Sequence, residues 1–488
     1  MTYNFRVILR TLSVVLLFEG VAMLIPMAYG VYLKEDGPAS SLFFTSICCI
    51  AIGSFIYRHL KYYTLRIKTR ESFFVAFLCW FIVCMTGTLP YLMAQCGYSF
   101  TDSLFESVSG WTTTGAWVID INEMPRSLIL WKAISNWLGG MGLLLLTISL
   151  FPVLGVQGQK MAAAEVPGPE FEKMSARISD TARISYRIYI IMTIAEICLL
   201  LPSGLDPFEA IINTMSTIST AGLLNLHNDV VANFTPYVKT VFSVFSILGS
   251  INFMMYFYGY RRRWDKIWKN VEVRTYLGLL FFGALIIGFF LYFGGHYDTF
   301  FGAWGDSLAQ AIAFGATSGY EIADINLWPT TCKVILIILL FIGGCGNSTS
   351  GSIKVIRFII YFKIIRRGIY KRIHPRAVKP IMVQGKPVSA AIASSVTVFM
   401  MLYFAVFIFS ALVFSLENLD METTLSTALA CITNNGTGFG SIAGGNFSIL
   451  SCFGKLYSAI LMLAGRLEIY AIIILFSRSF WNSDRARS

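Results

Sequence analysis

The chain has 488 residues, 56% of them hydrophobic and only 13% charged, which excludes a soluble globular domain of ordinary composition. Its net charge of +11 would suit a nucleic-acid binder if it were spread over one face. The Lys and Arg residues instead fall in a few short connections, as membrane topology demands, so the expected partner is the lipid bilayer and no nucleic acid.

A helix needs about 20 continuous apolar residues to cross a bilayer, and the chain has room for roughly ten such runs. The runs lack the period-two alternation of a membrane barrel, so the fold class is an all-α integral membrane protein. Two spans open the protein, at residues 7–33 and 40–60. The first follows Arg6 and Arg10 as a signal sequence would, but it is too long and has no clean cleavage site, so it is expected to be retained. A basic connection follows, with Arg58, Lys61, Arg66, Lys68 and Arg70.

From there one unit recurs four times: a span, a short amphipathic segment, a glycine turn and a second span. In the first unit the spans are 73–94 and 128–151, with 101–112 dipping between them. In the second they are 184–201 and 237–258, around 207–219. The third runs from 275–293 to 331–361 around 306–316, and the fourth from 389–414 to 456–476 around 421–433. The expected segmentation is 1–68 for the two leading helices, then 69–160, 161–270, 271–380 and 381–488 for the units. Connections between units carry the charge: Lys160 to Arg187, Arg261 to Arg274, and Lys363 to Lys386. These connections and the N-terminus are expected in the cytoplasm, so the glycine turns open to the outside.

The turns read SGWTTTGAW at 109–117, ISTAGL at 218–223, ATSGY at 316–320 and NNGTGF at 434–439. Aligned on Gly115, Gly222, Gly319 and Gly438, they are separated by 107, 97 and 119 residues. The segments before them are too short to span, and non-helical backbone at membrane depth survives only where protein buries it or it lines a watery cavity. Re-entrant half-helices followed by ion-facing loops satisfy that condition. Thirteen residues before the glycine stand Asp102, Glu209 and Asp306, and nine before it Glu106, Asn213 and Gln310. Carboxylates at a helix start suit its positive end. The fourth unit has Leu425 and Leu429 at these places. Glycine reaches backbone angles that a β-carbon forbids, so each turn can aim carbonyls at a common axis. A single TTTGA is better explained by a membrane-buried loop or tight helix packing; four at near-equal intervals reverse that judgment and point to one ring of oxygens around a cation. No carboxylate sits in the turns, and neutral carbonyls suit a large, weakly hydrated cation such as potassium.

In the third unit, Gly343, Gly344, Gly346, Asn347, Ser348, Thr349, Ser350 and Gly351 interrupt a hydrophobic span. Glycine costs about 1 kcal/mol against alanine in a helix, and Ser, Thr and Asn offer the backbone competing hydrogen bonds. A mobile plug beneath the turns or a packed kink would each explain the run. Gly346 and Gly351 have the spacing of a phosphate loop, but Ser352 stands where its lysine is required, so no nucleotide is expected in this chain. Arg466, in the middle of the last apolar span, needs a cavity or a partner. It either projects below the ring as a barrier to the next cation or forms a structural salt bridge. Glu19 and Glu196 also lie in apolar spans, as packed carboxyls or as proton carriers. Most of the ten cysteines, among them Cys48, Cys79, Cys198 and Cys431, fall in apolar runs and are expected to be small buried hydrophobes. His59, His227, His296 and His374 have no metal-ligand spacing.

At the four turns, at GGCGNSTSGSIKVIRF (343–358) and at GRLEIY (465–470), the chain resembles the TrkH and KtrB superfamily of potassium transporters, most closely the TrkH type. The resemblance runs over nearly the whole chain and includes two extra spans before the first unit. It implies a pseudo-fourfold pore in one polypeptide, homodimeric, in the bacterial inner membrane, above a cytosolic nucleotide-binding ring of TrkA type. It implies K+ as the transported ion and an ion-binding selectivity filter at Gly115, Gly222, Gly319 and Gly438. Thr113, Thr114, Thr220, Ala221, Thr317, Ser318, Gly436 and Thr437 would complete the filter. It also implies a gating loop at residues 343–351 and a pore-facing arginine at Arg466. Relatives with glycine at all four filter places generally favour potassium, and a serine in the first loop goes with sodium uptake in the plant branch.

The alternative is a secondary transporter coupling potassium to protons or sodium, which inverted repeats would signal; these four units run parallel. A membrane enzyme is not expected, since no nucleophile, base and orienting residue recur together.

Overall fold

Apolar runs that must satisfy their own backbone hydrogen bonds in lipid become helices, and the computed structural model is helical nearly throughout residues 5–60, 69–142, 178–222, 235–377 and 380–476, the ones it describes. The basic connections at 61–68 and 160–177, the end of the first unit's second span at 143–151, and His227 lie outside the described residues.

Helices α1 (Phe5–Leu33) and α2 (Asp36–His59) pair closely. A Cβ on Gly20 would lie 2.9 Å from the Ser46 carbonyl oxygen and one on Gly53 2.9 Å from that of Ser13, the small-residue contact by which helices approach in membranes. The first unit is α3 (Thr69–Leu92), α4 (Phe100–Trp111) and α5 (Arg126–Gly140). The second is α6 (Ile178–Leu200), α7 (Pro207–Ile218), α8 (Pro236–Ser250) and α9 (Phe253–Tyr260), after which a short α10 (Trp264–Trp268) leads onward. The third is α11 (Val271–Phe293), α12 (Phe300–Gly315), α13 (Thr330–Ile342) and α14 (Val355–Ile373). A hairpin of β1 (Met382–Val383) and β2 (Lys386–Pro387) precedes the fourth: α15 (Ala390–Phe414), α16 (Met421–Thr433), α17 (Cys452–Arg466) and α18 (Tyr470–Phe476).

Helices α1, α2, α3, α6, α11 and α15 are long and apolar enough to cross a membrane. The second half of every unit is different. Continuous spans were expected at 128–151, 237–258 and 456–476, with a break only within 331–361. In the structure α5 stops at Gly140, α9 leaves α8 at 93°, α13 and α14 are parted by residues 343–354, and α17 and α18 by 467–469. The cause is crowding under the glycine turns. A Cβ on Gly139 would meet the Trp111 carbonyl oxygen at 2.0 Å, one on Gly249 that of Ile218 at 2.9 Å, and one on Gly465 that of Ile432 at 2.4 Å. In the first, second and fourth units the second helix is thus pressed against the end of its own short helix, and in the second and fourth the chain turns away beyond that contact. Glu468 and Ile469 make the last turn at φ +55° and +59°.

The short helices α4, α7, α12 and α16 begin on side chains suited to the task. Ser99 accepts from Asp102 N at 3.1 Å, Thr299 from Gly302 N at 3.2 Å and Asp420 from Thr423 N at 3.0 Å, while Pro207 follows Asp206. Asp102 and Glu209 lie in first turns as expected, but α12 starts earlier than 306, so Asp306 is mid-helix. It stands 3.8 Å from Lys239 and accepts from the Tyr297 hydroxyl at 3.0 Å, not from a helix end. Cys79 and Cys431 are buried and Cys48 partly so, whereas Cys198 is exposed on α6, a departure from expectation that puts its thiol on the outer face of an apolar span.

A ring of four glycine turns above an intramembrane loop

Each short helix ends in the same way. Thr113, Thr220, Thr317 and Asn434 all adopt φ +55°, and two residues later Gly115, Gly222, Gly319 and Gly436 have φ of +75°, +88°, +66° and +76°. The residue between them returns its N–H to the helix: Thr114 to Ser109 O at 2.9 Å, Ala221 to Ser216 O at 2.8 Å, Ser318 to Ala313 O at 2.8 Å, and Asn435 to Ala430 O at 3.0 Å. This equivalence corrects the fourth turn. The glycine in register is Gly436, not Gly438, and Asn434 and Asn435 stand where the other turns have a threonine and a small residue. Asparagine tolerates the left-handed region better than a β-branched residue, so Asn-Asn-Gly is a sound replacement that glycine matching alone missed. A Cβ on Gly438 would point at Ser426 Oγ, 1.9 Å away, and the Thr437 carbonyl accepts from Asn435 Nδ2 at 2.9 Å; both face into the protein.

The turns close a ring. A Cβ on Gly115 would lie 1.7 Å from Ala221 O, one on Gly222 3.1 Å from Ser318 O, one on Gly319 1.7 Å from Asn435 O, and one on Gly436 1.9 Å from Thr114 O. The backbone of each turn abuts the next in cyclic order, at distances only glycine permits.

Straps behind the ring hold it. Glu106 of α4 accepts from Val118 N at 2.7 Å and Ile119 N at 3.0 Å, and Gln310 of α12 accepts from Ile322 N at 3.0 Å. These are the residues nine before the glycine, so the position carries a strap, not a helix-end charge. Glu106 is also paired with Lys132 of α5, both buried, and Lys132 Nζ donates to Ala116 O at 3.1 Å. That carbonyl is drawn away from the axis by Lys132 and by the Ser109 hydroxyl at 2.6 Å. In the fourth unit Ser426 accepts from Phe439 N and Thr423 Oγ1 from Ser441 N at 3.0 Å. Glu321, just past the third turn, accepts from Thr437 Oγ1 at 3.0 Å and Gly444 N at 2.7 Å, tying the third turn to the fourth. Lys132, Ser426 and Glu321 carry no sequence signal, because nothing in their spacing tells which loop they meet.

Beneath the ring lies the segment 343–354. Gly351 N donates to Thr317 Oγ1 at 2.7 Å, at the inner end of the third turn. Arg466 donates to Thr113 Oγ1 at 3.2 Å, Thr349 O at 3.1 Å, Gly140 O at 3.1 Å and Gly139 O. Arg466 therefore joins the first turn, the broken end of α5 and the intramembrane segment through carbonyl and hydroxyl oxygens, while Glu468 pairs with Arg357 of α14. The segment itself rests on the second unit. Cys345 N donates to Ser250 O at 2.9 Å, Thr349 N to Gly249 O at 3.2 Å, and Asn347 O accepts from Phe253 N at 3.1 Å. Glu272, at the start of α11, accepts from Gly346 N at 2.6 Å. Gly343 and Gly344 open the segment, Ser348 and Ser350 share a hydrogen bond at 2.9 Å, and Lys354 donates to Ser350 O.

Of the other polar groups in the spans, Glu19 is buried and accepts from Thr86 Oγ1, and Glu196 is buried in α6. Among the described residues no cluster of three His, Cys, Asp or Glu side chains could hold a metal.

A protein-family description, TrkH, "Cation transport protein", matches residues 39–295 and 303–484. The Trk system potassium uptake protein TrkG of Escherichia coli (strain K12) is 33% identical, covering 99% of this chain and 100% of that one. The protein TrkH of Vibrio parahaemolyticus, also a Trk system potassium uptake protein, is 32% identical over 98% of this chain and 100% of its own. The crystal structure of the potassium transporter TrkH from Vibrio parahaemolyticus superposes with a TM-score of 0.87 at 29% identity, covering 98% of this chain and 100% of that chain. With most of its length matched and its overall fold shared with that structure, the chain belongs to the TrkH family of cation transport proteins, which are transporters and not enzymes.

Proposed function

We propose that this chain is the potassium-translocating subunit of a bacterial Trk-type uptake system. K+ exchanges its water for backbone oxygens of the four turns, and the segment 343–351 gates the path. The observation that carries this is the cyclic contact of Gly115, Gly222, Gly319 and Gly436 with the carbonyl oxygens of their neighbours. Four neutral turns around one axis replace the hydration of a large cation at little cost and offer no carboxylate for a divalent one. The filter residues are then Thr113, Thr114 and Gly115, Thr220, Ala221 and Gly222, Thr317, Ser318 and Gly319, with Asn434, Asn435 and Gly436 in the fourth turn.

The gate in this conformation is shut. The hydroxyls of Thr113 and Thr317, at the inner end of the turns, are taken by Arg466 and by Gly351 N. The guanidinium also puts a positive charge on the exit side, where it opposes a leaving cation. The names of the relatives, Trk system potassium uptake proteins, support the same ion. A homodimer in the bacterial inner membrane, regulated by a TrkA-type cytosolic ring at the basic arm that continues α14, completes the proposal.

Competition flux in reconstituted vesicles tests it. Wild type should take up K+ in preference to Na+, and Gly115→Ser, whose Cβ would lie 1.7 Å from Ala221 O, should abolish that preference. Equal uptake of both ions by well-folded wild type would sink the proposal.

A further inference from the structure

The sharp elbow between α8 and α9 has two neighbours. On its inner side it cradles the gating segment through Gly249, Ser250, Asn252 and Phe253; in addition to the backbone bonds, Thr349 Oγ1 donates to Gly249 O at 2.9 Å and Asn347 Nδ2 to Asn252 Oδ1 at 3.4 Å. On its outer side it leads into Tyr-Arg-Arg-Arg-Trp-Asp-Lys-Ile-Trp-Lys, residues 260–269. α8, 15 residues long, is too short to span by itself, and α9 leaves it at 93° and carries the chain on to residue 260. Asn270 then caps α11, accepting from Val273 N at 3.1 Å, and the chain re-enters the next span at once. The ten residues are confined to the boundary between lipid and water.

Their chemistry matches that boundary. Arg261, Arg262, Arg263, Lys266 and Lys269 are exposed beside a single acid, Asp265. Tyr260, Trp264 and Trp268 are 87%, 59% and 75% exposed, an area of aromatic surface that water alone would not favour. Trp and Tyr settle at the headgroup level, and clustered Arg and Lys there attract anionic lipid. The segment is anchored to the elbow, since Gly259 packs against the Ile267 and Trp264 side chains, and Lys266 Nζ stands 4.8 Å from the centre of the Tyr258 ring.

We propose that residues 260–269 form a binding site for the headgroups of anionic phospholipids, and that the α8–α9 elbow passes their occupancy to the gating segment. The coupling rests on the gate assigned above; the lipid site does not. When headgroups hold the arginines, the elbow is fixed in the bilayer plane and the cradle under residues 345–349 moves with it.

The test uses the full chain, without any cytosolic partner, in phosphatidylcholine with or without phosphatidylglycerol. Lipids retained by the purified protein are counted by native mass spectrometry, and K+ flux is measured in the same vesicles. R261Q/R262Q/R263Q/K266Q should retain phosphatidylglycerol roughly a thousandfold more weakly, given about 1 kcal/mol of attraction for each of the four basic residues removed, and its flux should no longer respond to phosphatidylglycerol. W264A/W268A, which keeps every charge, should weaken retention less, and R366Q/R367Q/K371Q on α14 should retain the lipid as wild type does. The bilayer surface potential is the same for all variants, so differences report the site. Equal retention by the quadruple variant, or an equal loss from the α14 variant, overturns the lipid site. Reduced retention with an unchanged flux response overturns the coupling. A phosphatidylglycerol response that appears only after a cytosolic protein is added makes this a protein-docking surface and also overturns the proposal. Absence of K+ flux in every lipid counts against the proposed function, while retention still decides the headgroup site.

Discussion

Three threonines and an asparagine at φ +55° stand immediately inside the glycines. Left-handed backbone costs a β-branched residue about 1–3 kcal/mol and persists only where its surroundings fix it. Here hydroxyls do part of the fixing: Thr220 Oγ1 donates to Ser219 O at 2.7 Å, and Thr317 Oγ1 accepts from Gly351 N. The register of the fourth turn can be tested by two single methyl groups. Gly436→Ala sets a methyl 1.9 Å from a backbone carbonyl across the ring and should abolish selective K+ uptake. Gly438→Ala meets the Ser426 and Ile442 side chains, whose ends can shift, so it should cost roughly 1–2 kcal/mol of stability through the lost Phe439 strap and leave the K+/Na+ ratio unchanged. Flux competition and detergent melting curves read the two effects separately. Asp102 gives a pH-dependent case. Burial raises its carboxyl, but the hydrogen bonds from Lys455 and Ser99 outweigh that and hold it below the ordinary carboxylate range. A depressed carboxylate stabilises the fold above its unfolded pKa of about 3.9 and loses that contribution as pH falls through the folded value. Asp102→Asn should therefore melt lower at neutral pH, and the gap should narrow as melts are taken to acid and close once the pH lies below the depressed folded value.

At the scale of elements, the broken second helices make room for the segment beneath the ring. Residues 343–354 are gripped chiefly by an element of another unit, so the proposed opening must either break those hydrogen bonds or move the α8–α9 elbow with it. Deleting residues 347–350 should raise K+ flux several-fold, since it removes the Asn347 and Thr349 bonds to the elbow and one of the four oxygens that Arg466 contacts. Unchanged or lower flux from well-folded protein would count against a gate. On the outer side, Lys132 and Glu106 form a buried ion pair against the first turn. Removing one partner of such a pair costs about 3–5 kcal/mol, whereas replacing both with neutral groups of similar volume is often tolerated. Lys132→Met should lower the melting temperature far more than Glu106→Gln with Lys132→Met together, as a double-mutant cycle in detergent would reveal.

For the whole molecule, the four turns close one ring in cyclic order, and the parallel units read from the sequence differ from the inverted halves that rock in alternating access. Current through the purified protein in a bilayer should reverse near the potassium equilibrium potential, and a reversal that tracks pH would mean proton coupling instead. Much of this architecture can be read from the residues alone. The long apolar runs set the spanning helices because lipid leaves the backbone no other partner. The repeated Thr-x-Gly in three turns and the polar run at 343–351 mark where helix cannot continue. Asn434 to Gly436 were the exception, since their equivalence lies in φ angles and in a hydrogen bond back to α16, neither of which a residue type displays. The breaks at Gly139, Gly249 and Gly465 were equally hidden: an isolated glycine is common in membrane helices, and only packing against a carbonyl decides that the helix ends there. The sequence by itself determined which segments are apolar enough for the membrane and that the backbone must bend at three Thr-x-Gly turns and at the polar run 343–351, because burial and φ are local demands of each residue. Tertiary structure alone decided which turn meets which, and that Arg466 closes on the first turn and Glu468 on α14, because those contacts join residues far apart in the chain whose separation encodes no distance.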